Sequence, residues 1–457
     1  RPLYRAAGAE ALKRTHETRA PGDRARCVPI AAGAILGGMK ILHTSDWHLG
    51  RTFHGTSLHD VSERFIDELI ATVAEENIDA VLISGDVYDN ATPSTETIQL
   101  LNRALTGLVA AGAQVIFSSG NHDSPRRLGF GAELFATAGV HIMTRCEQAW
   151  QHPVILSKDG VRVGVYAIPY LNPRYHGPIL GAEPTHAAVL GAVTERIREN
   201  IAELRKEGGL DYSIVLAHAF ITRARAAREQ EDTGGEQTAL TEPARSDSER
   251  DISIGGVDAA PASLFDGIDY TALGHLHGRQ RVSDTIRYSG SPLAFSFSEE
   301  NHVKGAWLLT LTRDAGGVSA SIDPINWDTT LHLKTLRGTL TELLNNPAFE
   351  PYEDAFCRIY LEQENRPLNP VEQLRKRFPH IASFEFRSTV EQAQRSPYHR
   401  TRENITPQVM CREFYAYVRG APLSEREEEI LTAIIEEATE PGGDAADSKA
   451  SACSSTD

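Results

Sequence analysis

The sequence predicts an α/β protein: strands and helices in layers over most of its length, then a smaller α/β unit, then a pair of helices. Three observations carry this. From Met39 to about residue 324, short apolar runs alternate with helical stripes, the pattern of layered α/β domains. Between 325 and about 402 the order strand, helix, strand returns on a smaller scale. From 403 to 439 two amphipathic patterns follow strong helix-start signals. A chain of 457 residues, 41% apolar and 24% charged, has room for two to three domains with ordinary cores. No apolar run approaches the ~18 residues of a membrane span. The five cysteines are scattered without C-x-x-C spacing, which argues against a disulfide framework or a thiolate zinc site and fits a reducing cytosol. A net charge of −16 gives no general pull on nucleic acid, although a local basic patch would outweigh the total.

Residues 1–38 carry arginines at 1, 5, 14, 19, 24 and 26 among alanines and glycines, with no sustained period, and are expected to be a disordered extension. Met39 opens the first strand. The apolar runs are MKILHT, AVLIS, QVIFSS, VGVYAIP, SIVLAH, YTALG and IRYSG. Val61, Phe65, Ile66, Leu69, Ile70 and Val73 make a helical stripe over 60–76, and Ile98, Leu101, Leu105, Leu108 and Val109 another over 95–110. Residues 223–250 are rich in charge and turn formers and predict a surface loop. In the smaller unit CRIYLE and ASFEFRSTV predict strands and NPVEQLRKRF a helix, with Arg375, Lys376 and Arg377 on it as a basic group. Thr406-Pro407 starts one terminal helix, with Met410, Phe414, Tyr417 and Val418 as its stripe. Ser424-x-x-Glu427 is a capping box ahead of Ile430, Leu431, Ile434 and Ile435. The tail 440–457 is polar and expected to be disordered.

The polar residues that follow the apolar runs form a series. Asp46-Trp47-His48 follows the first, Gly85-Asp86-Val87-Tyr88-Asp89 the second and Gly120-Asn121-His122-Asp123 the third. His218 ends SIVLAH, and His275-Leu276-His277 follows YTALG. One D-x-H is as well explained by a polar turn. Five strand ends that each deliver metal-capable side chains are not, because the carboxyl ends of strands are where α/β sheets build sites. Carboxylates, imidazoles and one amide oxygen without thiolate suit manganese, iron or zinc. Asp46, His48, Asp86, Asn121, His218, His275 and His277 are too many ligands for one ion and suit two sharing Asp86. Two ions ~3.5–4 Å apart lower the pKa of a water and stabilise both oxygens of an in-line displacement at phosphorus.

In this order the motifs resemble the signature of calcineurin-like metallophosphoesterases. The longer stretches TSDWHLG, GDVYDNATPS, GNHDSPRRL, DSERDISIGG, ALGHLHGRQ and YSGSPLAFSFSE are similar to the nuclease-subunit family of bacterial SbcCD complexes, kin to the break-repair nucleases of archaea and eukaryotes. The resemblance covers about residues 39–438. It implies a four-layer α/β/β/α sandwich over 39–324, a small α/β capping domain over 325–402 and a helix pair over 403–439 that docks on a partner. It also implies two divalent ions, most simply manganese: one on Asp46, His48, Asp86 and His277, the other on Asp86, Asn121, His218 and His275. His122 would face the scissile phosphate as general acid or transition-state stabiliser, with Asp123 either orienting it or serving as a turn residue. Asp89 stands where some relatives carry a histidine. Purple acid phosphatases have tyrosine at that position, and Ser/Thr phosphatases continue Arg-Gly where this chain has Asn90-Ala91.

Arg51, Arg126, Arg127, Arg279 and Arg281 closely follow the ligand motifs and could hold DNA phosphates without reading sequence. The chain has no G-x-x-x-x-G-K-[ST] loop. In the family, ATP use belongs to the partner SbcC, an ABC-type coiled-coil ATPase, in a heterotetramer of two ATPase and two nuclease subunits. The implied function is an ATP-dependent double-strand exonuclease and single-strand or hairpin endonuclease acting on DNA ends and hairpins. It would be cytoplasmic and nucleoid-associated, dimeric through the nuclease domain, and independent of membranes. The alternatives are a non-catalytic DNA-end scaffold and a phosphoesterase acting on a small phosphodiester.

Overall fold

The structure is a computed structural model that describes residues 38–223, 259–327, 331–389, 406–419 and 422–439. The expected disordered extension and tail and the 223–250 loop lie outside the described residues, apart from Gly38 and Arg223. The principal elements begin with β1 (Met39–Thr44), α1 (His59–Glu76), β2 (Ala80–Ser84), α2 (Thr95–Ala110), β3 (Gln114–Ser118) and β4 (Val140–Met143). Next come β5 (Val154–Lys158), β6 (Val161–Ile168), α3 (Pro173–Leu180), α4 (His186–Lys206), β7 (Tyr212–His218) and β8 (Tyr270–Gly274). The short strands β9 (Gln280–Arg281) and β10 (Ile286–Tyr288) precede a long hairpin, β11 (Gly305–Asp314) and β12 (Gly317–Asn326).

Two six-stranded mixed sheets result, in the orders β12-β11-β1-β2-β3-β4 and β9-β10-β8-β7-β6-β5. Alternation along each strand builds the layers, because successive side chains leave opposite faces. On β1, Leu42 joins Val81, Val115, Phe65 and Leu69 under α1 and α2. Its neighbour Ile41 joins Leu82, Ile116, Val165 and Leu216 between the sheets. On the far side Val189, Val193 and Ile197 of α4 cover Tyr166, Val215 and Leu273. The order is therefore α/β/β/α, and central strands buried on both faces explain why they read as unbroken apolar runs. The β11–β12 hairpin and the edge strands β4 and β5 were not among the runs read from sequence. β12, GVSASIDPIN, has no buried position and so no apolar face to read, whereas β11, GAWLLTLTRD, is largely buried and carries a legible apolar run. The sheet continues to Asn326, two residues past the expected boundary.

Both helical stripes fold as expected, with one departure. Ile98 remains 49% exposed, while Leu100, Ala104 and the N-terminal Thr97 are buried instead. The smaller unit adds β13 (Leu333–Gly338), α5 (Leu340–Asn345), β14 (Phe356–Gln363), α6 (Pro370–Leu374) and β15 (Ile381–Ser388) in the sheet order β13-β14-β15. Its helix stops at Leu374, so the basic group does not lie on one helical face. Arg377 turns inward instead, pairing with Glu353 at 2.8 Å and donating to the carbonyls of Leu343 and Asn346. The described residues from Ser388 onward belong to a second unit. Within it lie α7 (Pro407–Arg419) and α8 (Glu425–Thr439). The Glu427 carboxylate accepts from the Ser424 amide, one half of the expected capping box, and also from the Ser424 hydroxyl. Among the described residues no helix is long and apolar enough to cross a membrane.

Buried polar groups also tie the two sheets together, as Ser84 Oγ does by donating to the Ala272 carbonyl at 2.8 Å. His43 of β1 lies between the sheets, its Nδ1 2.9 Å from the Tyr270 hydroxyl and its Nε2 3.2 Å from the Leu273 carbonyl. The Nε2–H donates to that carbonyl, and Nδ1 accepts from the hydroxyl. Burial drives its pKa down to about 3; the Leu273 carbonyl opposes this, and Arg287 adds to it. Below the ordinary histidine pKa of about 6.5, the unfolded chain takes up a proton that the folded one refuses. The neutral ring thus contributes stability that is lost as pH falls from about 6.5 toward about 3. Urea midpoints of metal-free protein measured across this range test the point. Wild type is expected to lose more stability on acidification than His43→Gln, and parallel profiles would remove His43 from the acid limb.

Candidate metal centre

The ends of β1, β2, β3, β7 and β8 meet on one side of the sandwich, and their loops are bent sharply to do so. Asp46 (φ 52°), His48 (φ 43°), Asp86 (φ 47°) and His275 (φ 95°) all lie at positive φ, which non-glycine residues adopt at a cost. The surrounding chain holds them there. Asp46 N donates to Gly85 O at 3.1 Å and His48 N to Asp86 O at 3.0 Å, stitching the first loop to the second. Two glycines make the approach possible. A Cβ on Gly85 would stand 2.3 Å from His218 Nδ1, and one on Gly120 would stand 2.1 Å from Asp86 Oδ1.

Asp86 is the hub. Its Oδ1 accepts from His122 N at 2.9 Å. Its Oδ2 lies 3.2 Å from His218 Nε2 and 3.6 Å from His48 Nε2. His218 Nδ1 donates to the Ser84 carbonyl at 2.9 Å, which leaves Nε2 as the lone-pair nitrogen, 2.9 Å from Asn121 Oδ1. The same Asn121 oxygen lies 3.3 Å from His275 Nδ1. Asp46 receives the His275 amide at 3.0 Å and the Ser45 hydroxyl. Ligand atoms of Asp46, His48 and His277 lie within 4.8 Å of one another, as do those of Asp46, Asp86 and His218. The seven residues expected as ligands therefore converge on one cluster, buried except for the half-buried Asn121 and His275.

The cluster's chemistry fits cations. His48 Nε2 is buried without a hydrogen bond, a costly state for an imidazole nitrogen unless an ion takes its lone pair, while Nδ1 faces the Asp89 carboxylate. Burial lifts the Asp46 carboxyl to about 7, with His218 pulling it back and Asp86 adding to the rise. Burial also opposes the Asp86 carboxylate, but His218 and His48 hold it below the usual range. His218 is in turn raised to about 9, its burial outweighed by Asp86 and Asp46. Burial lowers His48 to about 4 against the pull of Asp89 and Asp86. Divalent ions would hold both carboxylates ionised and the imidazoles neutral, the forms that ligate.

The remaining expected residues divide by role. The His122 ring is fixed by Nδ1 donating to the Asp89 carbonyl at 2.7 Å. The Asp89 carboxylate lies 3.2 Å from His48 Nδ1 and 2.8 Å from Arg51, which supports the His48 ring from behind. Asp123 makes its contacts elsewhere than at His122: its carboxylate receives the amides of Val87, Tyr88 and Gly120 at 2.9–3.1 Å. It thereby ties the second loop to the third. The arginines do not form one ring, because most have partners inside the chain. Arg51 pairs with Asp89 and stacks 4.7 Å from the centre of the Phe295 ring. Arg127 clamps Ala91 and Thr92, Arg279 holds Ile325 and Asn326, and Arg281 pairs with Asp284. Arg126 is exposed on the wall of a cavity of about 1040 Å³ that reaches Asn121 and Asp123.

Sequence reading missed two buried residues. Glu299 lies 3.5 Å from His277 Nδ1, and Lys304 pairs with Glu299 at 2.6 Å. Burial works against the Glu299 carboxylate, yet Lys304 and His277 hold it well below the usual range. Glu299 ends the run YSGSPLAFSFSE, but nothing in that run distinguishes a buried glutamate from a solvated one.

The model of the calcineurin-like phosphoesterase family matches residues 39–279. Among curated proteins, SbcD of the SbcCD nuclease of Escherichia coli K12 is 30% identical over 312 residues, 67% of this chain and 72% of that one. SbcD of Rhodobacter capsulatus is 34% identical over 63% of this chain and 69% of that one. That of Staphylococcus saprophyticus is 27% identical over 87% of this chain and 99% of that one. The chain belongs to the calcineurin-like phosphoesterase family and, within it, is of the SbcD type. It is accordingly a metal-dependent nuclease, a phosphodiester hydrolase.

Proposed function

We propose that this chain is the nuclease subunit of an SbcCD-type complex that hydrolyses DNA phosphodiester bonds at a two-metal centre. The complex acts as an ATP-dependent double-strand exonuclease and a single-strand and hairpin endonuclease in repair, replication and recombination. The observation that carries the reading is the convergence of His48 and His218 on one oxygen of Asp86 while its other oxygen holds the His122 amide. Asp46, His48, Asp86 and His277 would hold one ion, and Asp86, Asn121, His218 and His275 the other. Manganese suits this oxygen and imidazole set. When bound, the ions supply an activated water and charge stabilisation at the phosphoryl oxygens.

The chain's own residues do the rest. Asp86 and Asp46 neutralise positive charge, and Asp89 and Ser84 fix the His48 and His218 rings. With Nδ1 of His122 given to the Asp89 carbonyl, Nε2 is the nitrogen left to meet a substrate phosphate and move a proton at the leaving oxygen. Arg126, on the wall of the adjoining cavity, is the best placed of the five arginines to hold a neighbouring phosphate. The small unit over 331–387 serves as the cap that guides DNA. A homodimer through the nuclease domain completes the assembly. Working with DNA ends and hairpins, the protein is cytoplasmic and nucleoid-associated.

The partner is an SbcC-type coiled-coil ATPase, in an assembly of two copies of each chain, and the helix pair is its dock. Phe414 on α7 is 53% exposed and Ile434 on α8 is 57% exposed, with Met410, Val418 and Ile430 also open. A grouped apolar surface of this kind marks an interface. The stripe is not wholly open: Leu431 is half-buried and Ile435 buried in the single chain.

Three measurements test these readings. Asp86→Ala is expected to lose both metal equivalents, whereas His48→Ala weakens mainly one. Elemental analysis of dialysed variants decides this, and two full equivalents on Asp86→Ala would end the bridging assignment. His122→Ala is expected to keep its metals and its DNA affinity but to cleave roughly 10²–10⁴-fold more slowly, the usual worth of a positioned acid or base. Near-normal cleavage would take His122 out of the mechanism. The double variant Phe414→Asp, Ile434→Asp should keep metal content and partner-independent cleavage but lose binding to the ATPase, since unpaired charge is costly to bury. Co-purification of that variant at wild-type stoichiometry would move the dock elsewhere.

A further inference from the structure

We infer that Glu299, locked by Lys304, is a positioning residue that orients His277 toward the metal centre. The inference rests on the reading of His277 as a ligand. His277 is 4% exposed, its Nδ1 faces Glu299 Oε1 at 3.5 Å, and its ring brings a ligand atom within 4.8 Å of those of Asp46 and His48. The carboxylate is itself held from several sides. Phe295 N and Ser296 Oγ donate to it at 3.3 and 3.2 Å, and Lys304 Nζ at 2.6 Å. Lys304 then returns to the ligand loop, donating to the His277 carbonyl and to Ser291 Oγ, both at 2.9 Å. The ammonium thus grips the backbone of His277 while its counter-ion faces the ring.

Two opposite charges buried this deeply are expensive to desolvate, and apolar residues of similar volume commonly serve stability as well. What apolar residues cannot supply is an acceptor at Nδ1 that selects the tautomer and raises the basicity of Nε2. A carboxylate behind a ligating imidazole does both, and its loss typically costs ~10–100-fold in metal affinity. Because Lys304 cancels its charge, Glu299 can do this without adding a net anion to a cluster that already contains Asp46 and Asp86. The next residue separates this role from attachment of the small unit. Glu300 accepts from the amide and hydroxyl of Thr335 on β13, at 2.9 and 2.6 Å.

The test is manganese binding to full-length protein stripped of metal, followed by titration calorimetry and by the rise in melting temperature that manganese produces. Glu299→Gln keeps the volume and removes the charge. It is expected to weaken one of the two manganese equivalents ~10–100-fold and to shrink the manganese-induced rise in melting temperature. A structural role alone would lower the metal-free and metal-loaded melting temperatures equally and leave the isotherm unchanged, which would overturn the inference. Glu300→Gln is the control and should bind manganese as wild type does. If it weakens the same equivalent as Glu299→Gln, the effect belongs to the segment rather than to Glu299, and the inference fails. Should Glu299→Gln not fold, Glu299→Asp takes its place, since a shorter carboxylate keeps the charge but not the reach, and the same two outcomes apply. His277→Ala separates the two layers of argument. If it binds both equivalents normally, the ligand reading itself is wrong. If it loses one while Glu299→Gln does not, only the positioning role is wrong.

Discussion

The centre depends on one constraint, the close approach of two strand-end loops around a single buried carboxylate. Asp86 can face His48 and His218 with one oxygen and the His122 amide with the other only because Gly120 leaves no Cβ against it. The positive φ of Asp46, His48, Asp86 and His275 has the same origin: each loop must turn back over the end of its strand to aim a side chain at a common point. Strain of this kind persists where surrounding contacts over-determine it. Here the amides of Asp46 and His48 and the three amides received by Asp123 provide those contacts.

A rigid scaffold underneath explains why the geometry can be held. The two sheets meet through an apolar layer of β-branched and leucine side chains, with His43 and Ser84 as polar ties across it. Helices cover both outer faces, so the strands that end at the centre cannot shift without disturbing two cores at once. The small unit is joined to the same ground. Phe53 meets Phe356 and Phe297 edge-on or tilted, and Glu300 anchors β13, so the cap's first strand attaches one residue away from the glutamate that backs His277.

Much of this was legible in sequence because each signal was local. A period of 2 or 3.6 along a short stretch is enough to locate β1, β2, β3, β7, β8, α1 and α2. Asp46, His48, Asp86, Asn121, His218, His275 and His277 could be collected because all of them sit at or just past the end of a buried strand. The capping pair Ser424 and Glu427 likewise lies within four residues.

What only the tertiary structure decided involves partners far apart in the chain. Arg51, Arg127 and Arg279 look like free cations in sequence, but Asp89, the Ala91 carbonyl and Asn326 claim them. The Asp123 carboxylate serves amides 35 and 36 residues away rather than its neighbour's ring. Glu299 and Lys304 gain their meaning from His277, more than twenty residues upstream. The outer strand β12 was hidden because a solvated strand has no apolar face to declare it. By itself the sequence determined which side chains stand at the strand ends, since strand and helix periods are written in neighbouring residues. Which nitrogen of each imidazole faces the centre, and which charges are spent inside the fold, depends on contacts that exist only after the two sheets have closed on one another.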